Sequence, residues 1–559
     1  MKPFVVLLGT FALPVSLALA QTPPAPEAAP PASTAPAPDQ TPPDQTPPAP
    51  PEPAAPVPSI STPAPPATPA DDTERLRQAT AAYNAGVAAL KKNDWNSAAQ
   101  SFERATQLSP SDAGALSFLG FVRLQQKQWD AALTALTSAQ DNGKSLDVRS
   151  RAQLMTNIGF ARWNKAQLPE ARAAFEGALK LDPKYTDARY NLAFVLLSDN
   201  DFAGALPHLK LLAQANPKEA SVQDGLGDAL GRTGQSPAAL GAWKRAVTLA
   251  PKNPDYRWKL ALALIKASRP DEAATQLRAL LQLDPTNAPA LLQMGDLHLK
   301  SGHYGDAATV LRRYVQIKPD DFTGRFYLGV AYDYTPKFDE ALDQYAVAER
   351  LRPQDAATKN NIGRIYLKRG TFPEAIAKFN EALAIDANFA DARTNLAIVL
   401  AAQEKWDESN SQWQTLATGA ENQLRGATTV ATRKLYSGRV ATAYSGLAGN
   451  MMAQKDPARA ADEYRRLLSV VPGDLGARSG LGRALYAQKD YAGAETAYRA
   501  VIAADPKNAD AFNDLGVALE ARGDRKGALA SYTQALQLDP NHAQAKSNVA
   551  RLKGASPVG

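Results

Sequence analysis

The chain has 559 residues, 45% of them hydrophobic, with no cysteine and a formal charge of +6. That length exceeds one ordinary core and calls for several domains or an extended array, while the missing cysteines exclude disulfides, zinc–thiolate sites, thiol catalysis and a lipid on an amino-terminal cysteine. The charge divides into +1 from Lys2, −4 from Glu27, Asp39, Asp44 and Glu52, and +9 over residues 71–559, and its basic residues are scattered, which argues against a nucleic-acid partner.

Residues 1–20, "MKPFVVLLGTFALPVSLALA", join one lysine to an apolar run broken by Pro14 and end on the small pattern Ala18-Leu19-Ala20. This reads as an export signal cleaved after Ala20, with an uncleaved anchor as the alternative; the run falls short of the ~20 apolar residues of a span. No later segment reads as a transmembrane span. Residues 21–72 read as a disordered Pro/Ala-rich linker, with twenty prolines between 21 and 70. In polyproline II form such a tract extends about 3.1 Å per residue. It is a spacer, or a docking strip for a proline-binding partner.

From residue 73 the chain repeats. Small residues fall at Gly86 and Gly120, then Gly159, Ala193, Gly227, Ala261, Gly295, Gly329, Gly363 and Ala397, then Ala448, Gly482 and Gly516, with steps of 34 inside each run. A second small residue follows twelve later, alanine in every unit except Ser409, and a bulky one such as Phe102, Phe175, Trp243 or Phe379 four beyond that. A proline comes eight further on in ten of thirteen units. Two helices approach closely only where both lack a large side chain, and proline stops the second because it has no amide hydrogen and clashes with the preceding turn. Each hairpin leaves an apolar side open, so neighbours must stack.

This pattern resembles the tetratricopeptide repeat family over residues 79–550. The resemblance implies an all-α, right-handed superhelical solenoid of antiparallel helix pairs whose first helices line a concave groove. The family's tryptophan four residues before the small position is absent, and its aromatic three residues after survives only as Tyr332 and Tyr366. Two breaks interrupt the register: Gly120 to Gly159 is 39 residues, around "DNGKSLDVRS", and Ala397 to Ala448 is 51. The expected division is repeats 1–10 over 73–416, an irregular joint at 417–440, repeats 11–13 over 441–541, a capping helix at 542–553 and a tail at 554–559.

In this family the position two before the small residue faces the groove, and Asn84, Asn157, Asn191, Asn361 and Asn395 occupy it. An amide both donates and accepts, so a row of them can hold an extended peptide by its backbone, as the repeats of O-linked N-acetylglucosamine transferase do. One position after the small residue the first four units carry Val87, Phe121, Phe160 and Phe194. With Trp163 and Tyr190 these form an apolar strip on the inner wall, or pack between adjacent first helices. Asp224, Asp228, Asp296, Asp333, Arg364 and Lys368 make the wall charged farther along, as a solvated surface or as segments reading a long partner. Arg189, Arg257, Arg325, Arg393 and Arg478 share one register that the spacing does not explain.

No catalytic pattern emerges. "DNGKS" lacks the first glycine and the preceding strand of a phosphate loop, and "GLGDALG" has the wrong spacing for a dinucleotide turn. The four histidines form no zinc pattern, Asp224 and Asp228 read as ordinary exposed carboxylates, and no serine sits in a nucleophile elbow. No cofactor or metal is expected. The reading is an exported, non-enzymatic adaptor of the periplasm or cell surface that binds polypeptide in its groove; the alternative is a structural subunit of an envelope secretion or assembly machine, touching other subunits through convex or terminal surfaces.

Overall fold

The computed structural model describes residues 70–554, so the expected signal, most of the linker and the tail after 554 lie outside the described residues. Among the described residues there are 27 α-helices, one short 3-10 turn and no strand. They fall into two units, one ending at Met294 and one beginning at Gly295.

In the unit ending at Met294, helical hairpins follow one another from Ala70–Leu90 with Trp95–Leu108 onward. Their ends are set locally. Asp112 accepts from the backbone N–H of Gly114 and Ala115 at 2.9 and 3.0 Å, satisfying donors that have no partner inside the helix. First helices end on left-handed residues, among them Lys127, Ala166 and Asn200 at φ 58, 57 and 59°, which turn the chain into the second helix. A Cβ on Gly159 would stand 2.7 Å from the Phe175 ring, so this crossing needs glycine. Phe175, Leu136, Leu192 and Leu209 are fully buried at such crossings. The first register break is absorbed by the 3-10 turn Gly143–Ser145 and a longer first helix, Val148–Asn164, capped by Asp147.

The unit beginning at Gly295 uses the same construction, with Tyr345, Phe379 and Tyr532 fully buried. Its one exception to alanine is satisfied internally: buried Ser409 donates from Oγ to the carbonyl of Ala397 and accepts from Asn450 Nδ2, both at 2.8 Å. The expected irregular joint is not irregular. Trp406–Arg425 and Val430–Ala453 run as helices of 20 and 24 residues, leaving only 426–429 as a turn, because Gly426 and the Thr429 capping box confine the break to that point. The last helix among the described residues is Ala543–Gly554.

Candidate functional site

The first helices carry the candidate site, and their side chains meet in a fixed register. Asn395 Nδ2 donates to Asn360 Oδ1 at 2.9 Å, Asn548 Nδ2 to Asn513 Oδ1 at 3.0 Å, and Lys259 Nζ to Asp224 Oδ2 at 2.7 Å, each pair 35 residues apart. A second set lies 31 apart: Lys259 with Asp228, Tyr190 with Ser221, and Arg364 with Asp333. One repeat of 34 plus one, or minus three, differs by a single helical turn. A residue on one first helix therefore faces two positions, stacked one above the other, on the next.

This register divides the expected asparagines. Asn395 is spent on Asn360, and Asn361 is buried beside the Tyr345 hydroxyl. Asn84, on the first described helix, is exposed. Asn157 and Asn191 are 2% and 6% exposed, and no hydrogen bond within the described residues engages either amide. Their helices, Val148–Asn164 and Thr186–Ser198, touch directly.

The phenylalanines of the aromatic row are packed and form no open apolar wall, and two of them meet second helices rather than only the adjacent first helices. Phe121, Phe160 and Phe194 are 3, 8 and 9% exposed. The first two meet Trp95 and Trp129 edge-on at 6.3 and 6.1 Å, on second helices that start one repeat earlier, and Phe194 lies 4.6 Å from the Tyr190 ring. Aromatic contact of this kind rewards stacking of repeats rather than capture of a ligand. Trp163 and Tyr190 remain half-buried, and the Tyr190 hydroxyl lies 3.0 Å from Ser221 Oγ, which donates to Glu219 at 2.8 Å.

The charged positions form two clamps, and here Asp224 departs from the expectation of an ordinary exposed carboxylate. In the unit ending at Met294, Lys259 Nζ sits 2.7 Å from both Asp224 and Asp228. Trp243 Nε1 adds a donor to Asp228 at 3.2 Å, while Asp224 Oδ1 is buried with no donor. Burial, then the neighbouring Asp228 carboxylate, push Asp224 up to about 7 against the pull of Lys259. In the unit beginning at Gly295 the roles reverse: Asp333, its side chain wholly enclosed, is shared by Arg364 and by Lys368, the latter at 2.7 Å. Both cations also lie over the Tyr334 ring, at 5.4 and 5.7 Å. Burial opposes the Arg364 charge, yet the Asp333 carboxylate outweighs it and raises its pKa.

Lys259 carries no signal in the sequence alone, because its 35- and 31-residue spacing from two carboxylates gains meaning only once the stagger of successive first helices is known. The alternating arginines also gain a role. Arg257, Arg325, Arg393 and Arg478 each donate to the carbonyl six residues back, at 2.7, 2.8, 2.6 and 2.7 Å, and Arg189 does the same to Pro183. Arg257, Arg325 and Arg393 also reach Gln276, Gln344 and Gln412, nineteen residues on. They tie the loop between repeats to the following second helix. No group of three or more potential metal ligands occurs among the described residues, and no described helix is long and apolar enough to cross a membrane.

These stacked hairpins define a helical-repeat solenoid. Models of the tetratricopeptide repeat match residues 83–146, 225–288 and 490–543, a second version matches 165–229, 264–323 and 451–515, and a third matches 363–404. Together they span more than half of the chain, which belongs to the tetratricopeptide repeat family. Superkiller protein 3 of Schizosaccharomyces pombe is 25% identical over 185 residues, which are 32% of this chain and only 13% of that protein. Among solved structures, MamA 41-end from Desulfovibrio magneticus RS-1 is 23% identical, covering 31% of this chain and 96% of its own at a TM-score of 0.29. The APC/C hetero-tetramer Cut9-Hcn1 is 14% identical, covering 86% and 97% at 0.32. YrrB, a TPR protein with an unusual peptide-binding site, is 21% identical, covering 36% and 96% at 0.26. Tetratricopeptide repeat proteins generally mediate protein–protein interaction, and their scaffold is typically non-catalytic.

Proposed function

We propose that this chain is a non-catalytic scaffold of the cell envelope that holds an extended polypeptide by its backbone along the first helices of the unit ending at Met294. The observation that carries the reading is the pair Asn157 and Asn191. Neither amide is bonded inside the protein and neither is sealed from solvent, so each keeps a donor and an acceptor for a ligand backbone. At the same register Asn395 has its partner in Asn360, so the two free amides are distinguished from it by lacking one. Beside them the half-buried Trp163 and Tyr190 supply apolar edges for a bound chain.

Binding to an array of short peptides of varied sequence tests the grip. The double substitution Asn157→Ala with Asn191→Ala is expected to weaken capture tenfold or more across unrelated sequences while leaving the helical melting curve in place. Unchanged capture would show that the amides are packing groups. Export is tested separately by amino-terminal sequencing of protein recovered from the envelope: a start at Gln21 is expected, and a start at Met1 refutes cleavage.

A further inference from the structure

The long hairpin that replaces the expected joint differs from its neighbours in length and charge. Ordinary second helices of this unit, such as Phe372–Ile385 and Tyr491–Ala504, have 14 residues, and first helices such as Ala390–Ala402 have 13. Trp406–Arg425 and Val430–Ala453 have 20 and 24. At about 1.5 Å per residue, the additions carry their connecting turn roughly 10 to 15 Å farther than an ordinary hairpin end.

The projecting end is basic. Residues 417–440 contain one acidic residue, Glu421, against Arg425, Arg433, Lys434 and Arg439. Glu421 is occupied by the Tyr444 hydroxyl, which donates to it at 2.5 Å. The three arginines find only neutral acceptors: Asn422 Oδ1 at 2.5 Å, the Ala427 carbonyl at 3.2 Å and Gln423 Oε1 at 3.5 Å. Some arginines of the unit pair with carboxylates, as in Arg466 with Glu463, Arg499 with Glu495 and Arg551 with Glu520, whereas Arg325, Arg393 and Arg478 bond neutral groups as these three do. Near the turn Val430 is 87% exposed and Leu435 41%. Val430 also begins its helix, whose end adds partial positive charge to the apex.

We propose that this hairpin end docks on an anionic lipid surface, with Val430 and Leu435 entering the headgroup boundary and Arg425, Arg433, Lys434 and Arg439 meeting lipid phosphates. Exposed apolar residues close in sequence to several cations suit a membrane interface, where burial and attraction to anionic lipid act together. A hairpin end carried past an ordinary one can reach a surface that the neighbouring turns do not, and an anionic plane offers a phosphate to each cation it meets without requiring a particular sequence.

Sedimentation of the full chain with vesicles tests this. Binding is expected to phosphatidylglycerol-containing vesicles and not to pure phosphatidylcholine, and to fall at high salt. Lys434→Ala should weaken it about fivefold, the worth of one cation near an anionic surface, and the double change Arg433→Glu with Lys434→Glu should abolish it. Val430→Asp should weaken binding even at low salt. All these residues are exposed, so circular dichroism is expected to show unchanged folding. Equal vesicle binding by wild type and all three variants would overturn the proposal. So would a chain that ignores anionic vesicles but is captured, through these cations, by poly-glutamate.

Discussion

The two clamps are inverses of each other. In one, a single ammonium is held between two carboxylates; in the other, a single carboxylate is held between a guanidinium and an ammonium. Both use the same 31- and 35-residue spacing, so the scaffold fixes where the charges meet and leaves their signs to the sequence. The consequences differ. A surplus carboxylate can relieve itself by taking up a proton near neutrality, and Asp224 is pushed in that direction. A surplus guanidinium has no such outlet, because arginine stays charged at any pH a protein meets. The first clamp should therefore respond to pH, and the second should respond chiefly to loss of its one anion.

The harshest test removes that anion. Asp333→Ala leaves Arg364 and Lys368 facing each other around an enclosed vacancy, and breaking a buried pair from one side costs about 3 kcal/mol. Urea denaturation of the unit beginning at Gly295 should show this loss. A cost under about 1 kcal/mol would mean that water reaches the clamp and that its burial has little energetic weight.

A smaller effect separates the two clamps by pH. Asp224 has a folded pKa of about 7, above its ordinary value of 3.8. Its stabilising contribution is complete below the unfolded value and is lost as pH rises through the folded one. Urea midpoints of the wild type should fall between about pH 4 and 7, by on the order of 2 kcal/mol in stability. Asp224→Asn should flatten that slope while Lys259 keeps Asp228. A slope that survives the substitution would place the titrating group elsewhere.

Much of the scaffold was legible in the sequence, because small residues spaced by 34 can occur only where helices cross, and Gly159 against Phe175 or Gly363 against Phe379 bear that out. The stagger between successive first helices was not legible. It depends on how one hairpin leans on the next, which the repeat length alone does not contain. That missing stagger is why Asn395 looked like Asn157 although only one of them has an internal partner. It is also why the sequence left Phe121 and Phe160 open between an inner wall and packing, when the preceding repeat's Trp95 and Trp129 meet them edge-on. At 417–440 the longer spacing was plain, but the helices running through it were not, since Gly426 and the threonines after it suggest a wider break than the four residues they occupy.

The least effect is expected from an ion pair outside both clamps. Lys300 Nζ lies 2.7 Å from Asp296, as close as Lys259 lies to Asp224, yet more than half of the Lys300 side chain is exposed against a third of that of Lys259. Distance is thus held constant while solvent access changes. Lys300→Ala should cost about 0.3 kcal/mol in dilute buffer, and the cost should vanish in strong salt because water and ions screen an exposed pair. Loss of Asp333 should remain nearly as damaging in that salt. If instead the two substitutions lost stability equally and screened equally, burial would no longer separate the clamps from ordinary surface pairs, and Asp224 and Arg364 would have no cause to titrate differently from their exposed counterparts.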